Sequence, residues 1–515
     1  MSVVISKGNA TIGQGQWSPQ TDWVNLGTVA NNEILLLTSD IGLFYSVNVT
    51  VTGGYTVDWG DGTVSNYTSG SEGTHTYTLG AGTVCALGYT TWRARIYAQV
   101  PANSITRFAF GTGKITQNMN GTLWAKLGTT GLTSLASGFY GNIYCVSQYI
   151  QCVELPSSLV NCISYSAMLN NCVSLQKIVM PYTYSSSAIN FNGAFAGCYV
   201  LKSIDYHATS LNISSMQIAH YVNYNLKSCI LPTTINGCSS WNQTFYQCWS
   251  LSNVTLPTIN TNCNADRMFY GCTNMDTIIF NSSWDNRVTT FGTTFNGCFL
   301  LRNLTLPANG NLSGAFLTNT FTNCYTLKTI TYPTNNSTAI TDITAVHAGD
   351  WNVETINNFP AMNNVTVMSA ATLGAFQYCY RLKTISNLDQ LGDTTTGFDH
   401  TLTYSGCYSL PSLSCRNKIT GRFILSGISA SQLSALSSLV FTNPSAVSTW
   451  AGSSPQIDVA YGSMNAAALN TLFTSIISTS ASFSGKVIRI TGNPGAATCD
   501  TTIITAAGGT VNKLT

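Results

Sequence analysis

The sequence predicts a mainly β chain: a solenoid of stacked repeats built on a parallel sheet, preceded by a small β-sandwich and closed by strand–helix repeats. Three observations predict it. A seven-residue phrase returns at near-constant spacing through the middle of the chain. The first hundred residues alternate apolar and polar side chains between Gly-rich turns. Only 8% of the 515 residues are Asp, Glu, Lys or Arg, whereas 44% are hydrophobic. Ordinary domains carry about a quarter charged residues, so this surface must be covered by neutral polar groups. A chain of this length also exceeds what one compact core holds.

In chain order, residues 1–31 place Trp17 and Trp23 among Gly, Gln and Asn, which suits either a docking arm or a first strand. Residues 32–101 alternate as a sandwich does, with strands expected near 46–51, 55–63, 73–77 and 92–100. Within them, Asp58-Trp-Gly-Asp61-Gly-Thr63 admits two readings. Asp61-Gly62 makes a tight hairpin turn while Asp58 bonds backbone inside it; alternatively, Asp58 and Asp61 hold Ca²⁺. The other oxygen ligands of a calcium loop are not visible nearby, which favours the turn. This phrase, followed by Thr74-His-Thr-Tyr77, resembles the PKD domain over about seventy residues and implies an immunoglobulin-like sandwich. Residues 102–144 read as a transition and the N-terminal cap of the solenoid.

The repeated phrase is aromatic-x-x-Cys-x-x-Leu-x-x-Ile-x-Leu. It reads Phe195-Ala-Gly-Cys198-Tyr-Val-Leu201, Phe245-Tyr-Gln-Cys248-Trp-Ser-Leu251, Phe269-Tyr-Gly-Cys272-Thr-Asn-Met275, Phe295-Asn-Gly-Cys298-Phe-Leu-Leu301, Phe321-Thr-Asn-Cys324-Tyr-Thr-Leu327 and Phe376-Gln-Tyr-Cys379-Tyr-Arg-Leu382. Weaker copies start at Leu169, His220, His347 and Tyr404, with Asn223 and Asp350 in place of the cysteine. From Cys172 to Cys407 the steps are 26, 25, 25, 24, 26, 26, 26, 29 and 28 residues. Each phrase ends in alternating apolar residues and often a proline, as in Leu304-Thr-Leu-Pro307, the pattern of a short strand and its stop. One strand per repeat is expected, and neighbours must stack to bury their apolar faces.

The phrase resembles the BspA-like leucine-rich repeat over residues 145–422. That resemblance implies a right-handed solenoid and, commonly, adhesion at a surface. It implies no catalytic residues. The remaining residues, 423–515, change rhythm. Segments 423–427, 457–462 and 487–492 look like strands ending at Gly, and helical patterns follow at 429–439 and 463–477. The second helix is expected to open on a Ser463 cap, with Leu469, Leu472, Phe473 and Ile476 on one face. The phrase Gly492-Asn-Pro-Gly-Ala496 resembles the closing repeats of such proteins in phage and surface-protein sequences.

Seventeen cysteines invite a disulfide or zinc reading. Cys152, Cys172, Cys198, Cys248, Cys272, Cys298, Cys324, Cys379 and Cys407 occupy or extend the repeated position, however, and identical rungs superpose identical side chains. A column of small reduced thiols explains them without metal or cofactor, and no Cys-x-x-Cys occurs. His220 and His347 stand where other rungs have Phe, so they fill a rung. There is no His-Glu-x-x-His, Gly-x-Ser-x-Gly or phosphate-loop motif. The residue after the cysteine position is Tyr199, Tyr224, Trp249, Thr273, Phe299, Tyr325, Trp351, Tyr380 and Tyr408, aromatic in eight of nine rungs. Either these rings stack and stiffen the array, or they form an exposed stripe for sugar rings or another subunit.

With a formal net charge of +2 and no Lys/Arg runs, nothing suits a phosphate backbone, so nucleic acid is not an expected partner. No apolar run reaches spanning length, so membrane insertion is not expected. The N-terminus lacks the basic start and apolar stretch of a secretory signal, which leads to the expectation of release by lysis, not general export. The expected role is a non-enzymatic virion protein of a bacteriophage (tail fibre, head fibre or decoration protein). It would be held by other virion proteins through its N-terminal region and present its repeats to a host cell-surface glycan or protein. A homo-oligomer is compatible with this. The alternative is a bacterial cell-surface adhesin of the BspA-like type. A polysaccharide-degrading solenoid enzyme would need two carboxylates at glycosidase separation, and acids are scarce in this chain.

Overall fold

Alternation near the N-terminus builds two antiparallel sheets. In the strand Phe44–Val51, Tyr45, Val47, Val49 and Val51 point inward, and the strand pairs with Glu72–Thr76 on one side and Ile105–Phe110 on the other. The second sheet is centred on Glu33–Ser39 and Thr90–Ala98, followed by Tyr55–Asp58 and Val64–Tyr67. Tyrosines join the two sheets across their shared interior. The Tyr45 hydroxyl donates to the Ser39 carbonyl at 2.8 Å, and the Tyr77 ring stacks on Trp92 at 4.1 Å while its hydroxyl donates to the Trp59 carbonyl at 2.8 Å. Buried Tyr hydroxyls require such partners, and here the partners are main-chain groups of the opposite sheet.

The computed structural model describes residues 17–110, 121–140, 149–307, 317–332, 340–359, 365–368, 372–387, 397–416, 418–426, 434–442, 455–479 and 483–513. Two compact units make up the chain, Met1–Thr261 and Asn262–Thr515. In the first unit the N-terminal sheets run on into the repeats. Glu33–Ser39 pairs antiparallel with Trp124–Leu127, which pairs parallel with Cys152–Glu154, and that strand in turn with Lys177–Val179. The other sheet extends from Ile105–Phe110 through parallel bridges at Ser134, Ser164 and Asn190. Ile105–Phe110 lies in the segment expected to be transitional, and it is an integral strand. Residues from Trp17 onward pack on the second sheet: Trp17 meets Trp124 edge-on at 5.3 Å, and Trp23 Nε1 donates to the Tyr89 hydroxyl at 2.7 Å.

The repeats carry more than the single strand expected of each. In the first unit, Ser203–Asp205 pairs parallel with Ser228–Ile230, while Ile189–Asn190, Ser210–Ser215, Thr234–Asn236 and Thr258–Ile259 form a second parallel ladder. These second strands are short and rich in Ser, Thr and Asn, and apart from Ser210–Ser215, where Leu211 and Ile213 alternate with polar residues, no apolar alternation announces them; hydrogen bonding between rungs makes them strands. In the second unit, Asn303–Thr305, Thr329–Thr331, Thr355–Asn357 and Thr384–Ile385 form a parallel sheet that buries Leu304, Ile330, Ile356 and Ile385. The result is a mainly β solenoid of stacked parallel coils with few helices.

Toward the C-terminus, Gly397–His400, Lys418–Ile424, Ile457–Asp458, Val487–Arg489 and Thr510–Asn512 make a five-stranded parallel sheet. The helix expected at 429–439 is corrected over its described end, 434–439, which is not helical. Residues 427–433 lie outside the described residues, and Ser438–Phe441 is a strand paired with Ser412–Cys415. Val440 and Phe441 favour an extended backbone, and the neighbouring rung supplies the hydrogen bonds. The second helix spans Ala466–Thr479 and buries Leu469, Leu472, Phe473 and Ile476 as expected. Its cap differs: Asn465 Oδ1 accepts the Ala468 N–H at 2.8 Å, whereas the Ser463 hydroxyl donates to the Ser434 carbonyl.

Candidate recognition surface

Each rung turns sharply just before the cysteine position. The preceding residue is left-handed in rung after rung, for example Gly197, Gln247, Gly297, Asn323, Gly349, Tyr378 and Gly406. At Gly349 the φ of 78° is a conformation glycine adopts without strain, and a Cβ there would lie 2.5 Å from Asn323 Oδ1 of the previous rung, so that side chain would have to shift. The turn sends the Cys side chain inward and the next residue outward. Three columns follow from it.

The innermost is aromatic and buried. Phe195, His220 and Phe245 stack at 5.4 and 5.3 Å in the first unit. In the second unit, Phe269, Phe295, Phe321, His347, Phe376 and Tyr404 stack at 6.1, 5.4, 5.0, 6.0 and 5.9 Å, with rings within 12° of parallel.

Beside it runs the thiol column. Cys172, Cys198, Cys248, Cys298, Cys324, Cys379 and Cys407 are buried, and each Sγ lies 3.0 to 3.2 Å from the carbonyl of the aromatic position one rung earlier. The thiol is a weak donor but small enough to sit between rungs and add a second bond to carbonyls such as those of Phe269, Phe295 and Phe376, which already accept a backbone N–H of their own rung. Burial pushes all seven thiols well above the usual range, which keeps them protonated and unreactive. Cys152 and Cys272 are buried as well. Among the described residues no three His, Cys, Asp or Glu side chains converge as a metal site would require.

Where Asn223 and Asp350 replace the cysteine, the bond reverses. Their Oδ1 atoms accept the backbone N–H of Cys198 and Cys324, both at 2.8 Å. The same two rungs carry His220 and His347, whose Nε2 atoms lie 3.1 and 3.0 Å from the hydroxyls of Tyr206 and Tyr332. His347 Nδ1 lies 2.8 Å from Asp350 Oδ2. Burial lowers both histidines to about 3 and raises Asp350 well above the carboxylate range, so the proton of the pair stays on Asp350 and the cluster is neutral. Tyr332, His347 and Asp350 have the connectivity of a catalytic relay, yet His347 and Asp350 have no solvent exposure, so no substrate reaches them. This Tyr–His–Asp cluster fills a rung.

The outer column is the only one of the three that meets solvent. Tyr199, Tyr224 and Trp249 stack at 5.1 and 4.0 Å in the first unit. In the second unit, Phe299, Tyr325, Trp351, Tyr380 and Tyr408 are spaced 4.9, 4.5, 6.3 and 5.8 Å apart. Tyr199, Trp249, Phe299, Trp351 and Tyr380 are 37% to 46% exposed, and Tyr224, Tyr325 and Tyr408 are half-buried. The rings therefore stack on one another and at the same time show their edges to solvent. Thr273 stands in the remaining rung.

Asp58 and Asp61 lie apart from these columns. Asp58 Oδ1 accepts the Gly60 N–H and Asp61 Oδ1 the Thr63 N–H, both at 3.0 Å, while Asp61 Oδ2 lies 2.8 Å from His75 Nε2. Partial burial pushes the Asp61 carboxyl up, but the bonds from Thr63 and His75 outweigh it and hold the group below its ordinary value. Sequence reasoning missed Tyr206 and Tyr332 as partners of the buried histidines. The available signal was their position two residues beyond the strand isoleucine in the rungs just before His220 and His347.

Comparison with known proteins adds the repeat family. Residues 140–241 and 241–383 match six copies of the BspA type leucine rich repeat region. No curated protein resembles the chain in sequence. Among solved structures, a leucine rich cell surface protein from Faecalibacterium prausnitzii A2-165 is 15% identical, covers 68% of this chain and 91% of its own, and superposes with a TM-score of 0.27. TLR13 in complex with ssRNA13 is 14% identical, with 74% and 68% covered and a TM-score of 0.24. Superpositions at that level carry no argument, and the assignment rests on the family match and on the rungs themselves. Residues 140–383 of this chain are a BspA-type leucine-rich-repeat array.

Proposed function

We propose that the chain is a non-enzymatic adhesion scaffold whose outer aromatic column contacts a cell-surface glycan or protein. One observation carries the reading: a run of partly exposed rings held in register by stacking, in a chain with only 8% charged residues, of which Arg302, Lys328, Glu354 and Lys383 lie in the same rungs. Stacked Tyr and Trp give rigid amphipathic contact area at low entropic cost. Because the ring faces are spent on one another, the column meets its partner with ring edges and Tyr hydroxyls.

The place of display is the finer part of the proposal. The favoured site is a bacteriophage virion, for which the scarcity of charge and the closing Gly492-Asn-Pro-Gly-Ala496 phrase speak; a bacterial cell surface is the second reading. The two-sheet N-terminal module fits the PKD type and would anchor the chain. Since Trp17 and Trp23 already pack on their own sheet, the anchoring surface is the module's exterior. Proteomics of purified particles against surface-shaved cells separates the two locations.

Replacing Tyr325, Trp351 and Tyr380 together with Ser tests the column. Binding of the purified full chain to whole bacteria should fall by about tenfold or more, with only a small change in melting temperature. Undiminished binding, or collapse of the fold, would leave the rings a purely internal role.

A further inference from the structure

The repeat supplies its own internal control, because equivalent positions can be compared from rung to rung. Nine residues beyond the cysteine position stands a proline in five rungs: Pro181, Pro232, Pro257, Pro307 and Pro333. In the rungs of Cys198, Cys272, Asp350, Cys379 and Cys407 that residue is instead His207, Asn281, Phe359, Leu388 and Arg416, and of these His207 neighbours a proline rung with an aromatic residue beside it. The residue after the proline is Thr or Ala in four of these rungs, but after Pro181 it is Tyr182. These two departures from the repeat fall on adjacent rungs, and their rings stack at 4.5 Å and 15°.

His207 is held in place for this contact. Asp205 Oδ1 accepts its backbone N–H at 2.7 Å, and Asp205 Oδ2 lies 3.3 Å from its Nδ1. Its φ of 54° is a left-handed conformation that proline cannot adopt and other L residues adopt only under constraint. Neither substitution is needed to stack the rungs, since the other rungs stack without it.

Beside the pair opens a cleft of about 380 Å³, within the range of about 300–1,000 Å³ typical of small-molecule sites. Tyr184, Ser185 and Leu211 are the buried residues of its lining, and the rest includes the hydroxyls of Ser186 and Thr209 and the Asn212 side chain, whose Nδ2 donates to the Ser186 carbonyl at 2.7 Å and leaves its Oδ1 to accept. No Asp, Glu, Lys or Arg lines it. A phosphate or carboxylate ligand would find only His207, whose imidazole lies against the Asp205 carboxylate, and an apolar ligand would leave the hydroxyls unbonded.

We propose that this cleft binds a neutral saccharide, with Tyr182, 63% exposed, packing on a sugar ring and the cleft's hydroxyls and amide bonding the sugar's hydroxyls. The site lies further along the rungs than the outer column, with the strand Ser203–Asp205 between Tyr199 and His207, and it stands or falls independently of the column's role.

Saturation-transfer NMR on the full chain with maltose, lactose and N,N′-diacetylchitobiose tests it. Transfer to the ring protons of at least one sugar is expected, with affinity reduced about tenfold or more by Tyr182→Ser and by Asn212→Ala, and unchanged by Trp351→Ser. Both cleft residues are exposed, so these variants should melt as the parent does. Absence of transfer from all three sugars would overturn the proposal. So would transfer that survives Tyr182→Ser and Asn212→Ala, or transfer lost only in Trp351→Ser.

Discussion

His220 stands where most rungs have Phe, and the substitution trades an inert ring for one that titrates. Burial lowers its folded value to about 3, whereas an unfolded His sits at about 6.5. The folded state therefore keeps His220 neutral, and its contribution to stability is present above pH of about 6.5 and lost as pH falls toward 3. Each such histidine costs up to about 1.4 kcal/mol per pH unit in that window. Replacing His220 with Phe alone would strip the Tyr206 hydroxyl of its Nε2 partner, so the informative variant is His220→Phe with Tyr206→Phe. Chemical denaturation at pH 7 and pH 4.5 should show a smaller loss of stability on acidification in the double variant than in the parent; equal losses would contradict the burial argument. The histidines were legible at this scale, because a ring position in a repeat predicts a ring wherever it occurs. Their tyrosine partners were not, because each comes from the strand of the preceding rung.

A strand of three residues is stable only as part of a ladder. Thr329–Thr331 pairs on both sides, with Asn303–Thr305 and Thr355–Asn357, and its single fully buried side chain is Ile330. Ile330→Ala should cost about 2–4 kcal/mol through lost burial and the cavity left behind, while Thr329→Ala should cost under about 0.5 kcal/mol. Denaturant midpoints measure both, and near-equal effects would mean that the strand is not packed as described. Elements whose apolar residues set the period were readable from sequence: the strands ending in proline, and the helix Ala466–Thr479 with its buried face of Leu469, Leu472, Phe473 and Ile476. Elements defined by pairing alone were not. Ile189–Asn190 and Thr234–Asn236 offer a single apolar residue each, and the helix expected at 429–439 overlaps the strand Ser438–Phe441 only at Ser438 and Leu439, where Leu436 and Leu439 also fit a helical spacing.

Over the whole molecule, the repeat period made the solenoid visible, since a phrase returning ten times with a near-constant step admits few architectures. What it concealed is how the N-terminal sheets meet the repeats. Glu33–Ser39 pairs with Trp124–Leu127 across some ninety residues of sequence, and no local pattern announces such a partner. The central claim is that within each unit equivalent positions superpose, so that a column of thiols is sealed inside while the residues beside it face solvent. Labelling the native chain with a charged maleimide at pH 8 and mapping the modified peptides by mass spectrometry tests this directly. Cys172, Cys198, Cys248, Cys298, Cys324, Cys379 and Cys407 should stay unmodified in the folded protein and all react once it is denatured. Rapid native labelling of several of them, or disulfide-linked peptides joining them, would contradict the account.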